Sequence, residues 1–359
     1  MRNAPPVSPG ALKLRSAHLD GWAFERVRAE IDLVVLQVTT LTTTNFQTVS
    51  RRLTEVRKRS ASARPVYVQA IAGGPGGGAR EFEFAVQDVR DLSVLTDVVG
   101  ALDASFGLAS PPLIRAIEFA MDLYPPLGAT DREGGDLTVQ LARRLFTGAR
   151  KPRQIGPGTN YVTVFVDHGD AKIVADATTY FGHRIDDLHH KVYWKEKDCG
   201  AAIDQSARRA RVEVRVSGAV LLKMGLRKVS DLASANFRKL LAAHFRFRRA
   251  RQMGNAEGTG GAVHGLLERA GVGESHGMSS FEAYRRTRRG RVNKYSKMTQ
   301  ADRFMTRRVG DALDGLTDRF TEKVGEERLV ASSSMKAVCP MYSVIADCTC
   351  ASRNLVTEN

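Results

Sequence analysis

The chain has 359 residues, 43% of them hydrophobic and 26% charged, and a formal net charge of +15. The length accommodates roughly two domains of about 150 residues, and the composition is that of a globular protein rather than a disordered or fibrous one. No apolar run approaches the roughly 18 residues that span a bilayer, and the N-terminal Met-Arg-Asn-Ala-Pro-Pro-Val lacks the apolar core of a signal peptide. An excess of cations attracts polyanions whatever the fold. A cytoplasmic protein with nucleic acid as first partner is therefore expected ahead of one held on a membrane surface.

The Val-rich run Ile31 to Thr39 predicts a buried strand. Phe46, Val49, Leu53 and Val56 then recur at helical spacing behind Asn45, a suitable N-cap. Pro65 to Ile71 and Glu81 to Val86 alternate as two strands around Gly73 to Gly78. That glycine loop reads as a hairpin turn, because no Lys-Ser/Thr follows it and the next element is a strand, not the helix a phosphate-binding loop requires. Leu92 to Phe106 is expected to be helical, and Leu113 to Leu123 to be a strand. The order is β-α-β-β-α-β, the split ferredoxin-like arrangement.

A short helix over Leu137 to Leu145 and a Gly/Pro/Lys/Arg linker from Thr147 to Gly158 come next. Strands are expected over Tyr161 to Val166, Ala171 to Phe181, Leu188 to Lys195 and Arg209 to Val216. From about Leu222 the chain turns helical and basic, with a flexible break at Gly254 to Gly261 and the final helices over Ser279 to Val324. The fold class expected is α+β: an antiparallel-sheet core with ferredoxin-like elements, followed by a basic helical region. The expected divisions are an N-terminal arm over 1–28, the α/β domain over 29–250, the basic region over 251–330 and a tail over 331–359. Cys199, Cys339, Cys348 and Cys350 lack the spacing of a four-ligand zinc site and read as reduced thiols.

Three constellations carry chemistry. In the strand Ile117 to Asp122, Glu118, Ala120 and Asp122 share one face, and two carboxylates beside a small residue leave room for magnesium or manganese. On period alone, a half-buried strand with a solvated face is the better account of them. In the strand from Leu188, His189, Lys191, Tyr193 and Lys195 line one face, a poor core and a good surface for a phosphodiester backbone, with Tyr180, His183 and Arg184 just before. The third is Arg211, Glu213 and Arg215. It reads either as a cross-strand ion-pair ladder or as a metal ligand held between phosphate-binding arginines.

The run Tyr180-Phe181-Gly182-His183-Arg184, Asp187-Leu188, Lys191-Val192-Tyr193-Trp194-Lys195, then Arg211-Val212-Glu213-Val214-Arg215, resembles rolling-circle replication initiators. The resemblance is to the replication initiation factor family of small plasmids and filamentous phages. That family's pattern is roughly Y-x-G-S-R-x-S-x-x-x-x-R-I-Y-D-K followed by R-x-E-x-R, with an L-D-L-A-x-D strand upstream that Ile117 to Asp122 is similar to. It covers about residues 110 to 250. His183 stands where the family has Ser, Glu118 where it has Asp, and Trp194 where it has an acid.

The resemblance implies an endonuclease that nicks one strand of a replication origin. A tyrosine attacks the phosphodiester, leaving a 5′-phosphotyrosyl bond and a free 3′-hydroxyl. It implies Mg²⁺ or Mn²⁺ as cofactor, held by Glu118, Asp122 and Glu213 with His189 or His183. Tyr180, Arg184, Lys191, Tyr193 and Lys195 would position the strand, with Arg211 and Arg215 on the phosphates. The nucleophile is expected on a helix after the R-x-E-x-R strand, where the alignment over Phe237 to Phe247 brings His244; the next tyrosines are Tyr284 and Tyr295. Arg246 and Arg248 belong to one further basic cluster, and Arg288, Arg289 and Arg291 to a second that almost no acid interrupts. Origin DNA, single-stranded or cruciform, is the partner implied, and the resemblance admits a host helicase and a homodimer. The alternative is a non-catalytic basic nucleic-acid-binding protein that keeps the fold without the tyrosine.

Overall fold

Alternation of apolar and polar residues along long strands divides this protein into a packed side and a charged side. A computed structural model describes residues 22–59, 66–73, 77–147, 152–155, 164–165, 178–198, 201–250 and 299–321. The expected β-α-β-β-α-β run is present as β1 (Arg26–Thr44), α1 (Phe46–Arg59), β2 (Tyr67–Gly73), β3 (Ala79–Val89), α2 (Leu92–Phe106) and β4 (Leu113–Tyr124). Then follow α3 (Asp131–Arg144), β5 (Pro152–Ile155), β6 (Val164–Phe165), β7 (Thr178–Phe181), β8 (Leu188–Lys195), β9 (Lys197–Asp198), β10 (Ala201–Ala202) and β11 (Arg209–Ser217). Three short helices, α4 (Gly218–Lys223), α5 (Val229–Ala233) and α6 (Phe237–Leu241), precede β12 (Arg248–Ala250), β13 (Thr299–Ala301) and α7 (Arg303–Thr321).

Among the described residues nine strands form one sheet in the order β2-β3-β1-β4-β11-β8-β7-β5-β6, and every neighbouring pair is antiparallel. The fold is α+β. Asn45 caps α1 as expected, its Oδ1 accepting from the Thr48 backbone N–H at 2.8 Å. β2 and β3 pair as the expected hairpin. β1 runs further than its apolar stretch, because Arg26, Arg28 and Glu30 and then Thr42 to Thr44 continue the strand as a half-exposed ribbon. β5 lies within the segment read as a linker, pairing Pro152 to Ile155 with β7.

The packed face of the sheet carries Ile117, Phe119, Met121 and Leu123 of β4 beside Val212, Val214 and Val216 of β11 and Val192 of β8, all buried. Helices cover it. Phe237 of α6 stacks at 5.8 Å from Phe119 and at 5.5 Å from Phe320 of α7. α3 lies so close that a Cβ on Gly134 would meet the Trp194 ring at 2.3 Å, which is why glycine stands there. α7 falls in the segment 251–330 read as a basic region of its own, yet Met305, Val309, Leu313, Leu316 and Phe320 join the same core as the sheet. Trp22, from the segment read as an arm, is buried with them, and its indole N–H donates to Asp302 Oδ2 at 2.7 Å. No helix among the described residues is long and apolar enough to cross a membrane.

Candidate functional site: the charged sheet face

Strand register brings the three constellations together. Arg211 of β11 lies opposite Asp122 of β4 and Tyr193 of β8; Glu213 lies between Ala120 and Lys191; Arg215 lies between Glu118 and His189. On the outer flank Tyr180 of β7 lies opposite Lys191. Residues up to 97 positions apart in the sequence thus tile one face. β1 adds two acids that the sequence reading passed over. Glu30 pairs across from Ala120, and a register shift between Ile31 and Leu33 makes room for an extra residue, Asp32. Such a bulge re-aims a side chain. Asp32 Oδ1 accepts from Arg211 Nη1 at 2.5 Å. The only sequence signal for it was a single carboxylate inside an otherwise apolar run.

Arg211 is 0% exposed. Its Nε and Nη2 donate to the two Asp122 oxygens at 2.6 and 2.7 Å, and Nη2 also reaches Glu30 Oε2 at 3.5 Å. Burial works against its charge, but Asp122 and Asp32 outweigh burial and hold the guanidinium well above its ordinary pKa. Asp122, also 0% exposed, accepts a third bond from Arg209 Nε at 2.7 Å. Lys195 is buried and ion-paired with Asp198 at 3.4 Å and Asp32 at 4.0 Å. Arg211 and Lys195 therefore do not stand as phosphate contacts: they are locked among carboxylates, and Arg211 offers no surface to a strand.

Beside this block, Lys191 Nζ donates to Glu213 Oε2 at 2.9 Å and to Glu118 Oε2 at 3.3 Å. Glu118 also accepts from Arg215 Nη1 at 2.8 Å. Burial alone would raise the Glu118 carboxyl, but Lys191 and Arg215 bring it below the usual carboxylate range. Burial likewise opposes the Lys191 charge, and Glu213 and Glu118 prevail, raising it. The Tyr193 hydroxyl donates to Glu213 Oε1 at 2.5 Å. Burial and then the Glu213 charge push this phenol far above its ordinary value.

His189 is different. It is 1% exposed, and neither ring nitrogen has a hydrogen-bond partner among the described residues. Burial, then the charge of Lys191, brings its pKa down to about 4 against the pull of Glu118, with Arg215 and Arg184 adding to the lowering. An unsatisfied buried polar group costs about 1–3 kcal/mol.

Magnesium or manganese at Glu118, Asp122, Glu213 and His189 can be tested against this geometry. Asp122 is taken up by two arginines, and Glu118 and Glu213 converge on the ammonium of Lys191, which stands where a cation between them would sit. Among the described residues no three His, Cys, Asp or Glu side chains are grouped to hold a metal ion. The donor set as arranged does not fit a divalent ion.

The remaining expected residues scatter. Arg184 is exposed in the turn after β7, which is braced by Asp186 Oδ2 accepting from the His183 N–H at 2.8 Å. The His244 carbonyl lies 3.1 Å from His190 Nε2. His190 points to the packed face, so His244 meets the sheet on the side away from Glu213. Arg246 and Arg248 lie over the Phe146 ring at 4.8 and 4.7 Å. Tyr284, Tyr295, Arg288, Arg289 and Arg291 lie outside the described residues.

No protein-family model matches the chain, and no curated protein matches it. Among solved structures, a rolling circle replication initiator protein from Geobacillus stearothermophilus superposes with a TM-score of 0.32 and 13% identity, over 64% of this chain and 90% of that one. The regulatory subunit of aspartate kinase from Thermus thermophilus gives 0.19 and 11% over 58% and 97%, and that from Thermus flavus 0.19 and 10% over the same shares. Scores of this size establish no common fold.

Proposed function

We propose that this chain is a DNA-binding protein of the replication-initiator kind, which holds one strand against the charged sheet face and cuts it through a tyrosine. One observation carries the reading. The motifs around Glu118, Lys191 and Glu213, scattered along the sequence, are brought by the adjacent strands β4, β11 and β8 onto one and the same sheet face. A sheet face bearing tyrosines, lysine and arginine suits a phosphodiester strand, and a net charge of +15 favours its approach.

In the proposed step a tyrosine oxygen attacks phosphorus and forms the new P–O bond, the bond to the 3′ oxygen breaks, and the proton given up by the phenol ends on that oxygen, which leaves as a hydroxyl. Tyr284 and Tyr295 are the nucleophiles we propose. Tyr193 is on the face, but Glu213 holds its proton and burial keeps the phenol neutral, so it acts as a positioning group. Lys191, which pairs with Glu118 and Glu213, exchanges one of these carboxylates for the scissile phosphate and brings positive charge beside it. A second reading, binding without cutting, is favoured by the position of His244, where the alignment called for the tyrosine.

A pool of 3′-labelled single-stranded DNA of randomised sequence separates the two. Cutting transfers the label to protein that survives a denaturing gel, and the band is lost when Tyr284 and Tyr295 are both changed to Phe. The assay is run with and without Mg²⁺ or Mn²⁺. Retarded DNA with no protein-linked label under any of these conditions would leave binding alone.

A further inference from the structure

We propose that His189, Arg184, Lys191 and Arg215 form a binding site for a phosphate group, supplied by a single strand laid along β7 and β8; the source of the phosphate rests on the reading of this face as a nucleic-acid surface. Among the described residues the buried imidazole has no partner for either ring nitrogen, which leaves both free to take a ligand. Its neighbours decide which ligand. Arg215 lies directly across from it in the β8–β11 register, Lys191 is two positions along the same strand face, and Arg184 projects from the turn that leads into β8. All three cations act on the ring, and Glu118 opposes them. A divalent ion brought to His189 would meet the cationic heads of Lys191 and Arg215 beside it, whereas a phosphate can pair with them.

Glu118 now binds both Lys191 and Arg215, at 3.3 and 2.8 Å. It keeps the two cationic heads together in the absence of an anion. A phosphate oxygen competes for those heads and accepts an N–H from the imidazole, which gives the orphaned ring the partner it lacks. Charge brought by the phosphate also favours the protonated ring, which then has two donors to offer. The turn holding Arg184 is fixed at its far end as well, since Asp187 Oδ2 accepts from the Ala219 N–H at 2.8 Å. The site is thereby placed on rigid elements.

The test uses the full chain with inorganic phosphate, a single-stranded oligothymidylate and Mn²⁺ as separate probes. In the wild-type protein the ¹⁵N resonances of His189 are expected to shift on addition of inorganic phosphate and of the oligonucleotide, but not of Mn²⁺. His189→Phe, which fills the volume without a donor, should weaken the oligonucleotide about tenfold, and His189→Gln should stay within about threefold of wild type. His189 resonances that respond to Mn²⁺ and not to phosphate would overturn the inference. So would His189→Phe binding the oligonucleotide as wild type does, although the nucleic-acid reading would then stand. Phosphate binding without any oligonucleotide binding would instead keep the anion site and sink the nucleic-acid reading.

Discussion

Arg211 grips Asp122 through two parallel hydrogen bonds of 2.6 and 2.7 Å, and neither side chain reaches solvent. The pair ties β11 to β4 at the level where Asp32 and Glu30 close in from β1. Breaking a buried pair by removing one partner leaves an uncompensated charge, at a cost of about 3–5 kcal/mol. Asp122→Asn and Arg211→Met are each expected to destabilise by that order in urea denaturation. Changing both together to apolar residues should cost less than either single change. An Asp122→Asn protein as stable as wild type would mean that the pair holds nothing.

Phe237 is the apolar counterpart on the packed face. It is fully buried between Phe119 and Phe320 and joins the sheet to α7. Phe237→Ala should destabilise by about 3–5 kcal/mol, read in the same denaturation experiment. A loss below about 1 kcal/mol would show that α7 does not lean on the sheet through this ring.

His189 sets an acid limit on stability. Its folded value of about 4 lies below the ordinary 6.5, so the folded state resists protonation that the unfolded chain accepts. The contribution is intact above about pH 6.5 and is lost as pH falls from there toward 4, at about 1.4 kcal/mol per unit. His189→Gln should therefore gain on the wild type between pH 6.5 and 4.5, by about 2–3 kcal/mol. Parallel stability curves for the two proteins over that range would contradict the burial of a neutral ring.

The strands and helices that were legible each have a single clean period: Asn45 before an apolar series spaced by three and four, and an alternating Leu188 to Lys195. Their grouping on one face was legible in part. Glu118, Lys191 and Glu213 were placed together by period 2 and by resemblance, and register brings them within bonding distance. What could not be read was which charges cancel. Arg211 and Lys195 look like phosphate ligands in sequence, because nothing in the local pattern shows that Asp32 arrives from a strand nearly 180 residues away. A bulge of one residue inside an apolar run leaves no periodic trace. Nor does sequence show that Lys191 takes the place between two carboxylates that a metal ion was expected to occupy.

The basic run carrying Arg288, Arg289 and Arg291 gives a prediction from charge alone. Each phosphate neutralised adds about 0.9 to the log-log salt slope on duplex DNA. Changing all three to Gln should lower the slope by about 2.7 if each arginine meets a phosphate. An unchanged slope would assign the run to a solvated face.

The claim that a single strand lies on the charged sheet face is tested most directly by photo-crosslinking a 4-thiothymidine oligonucleotide to the full chain and mapping the adducts by mass spectrometry. The expected adducts fall in peptides of β7, β8 and β11, on Tyr180, Tyr193 or their neighbours. Crosslinks confined to the helical side, around Arg238 and Arg246 with none on β8, would contradict it.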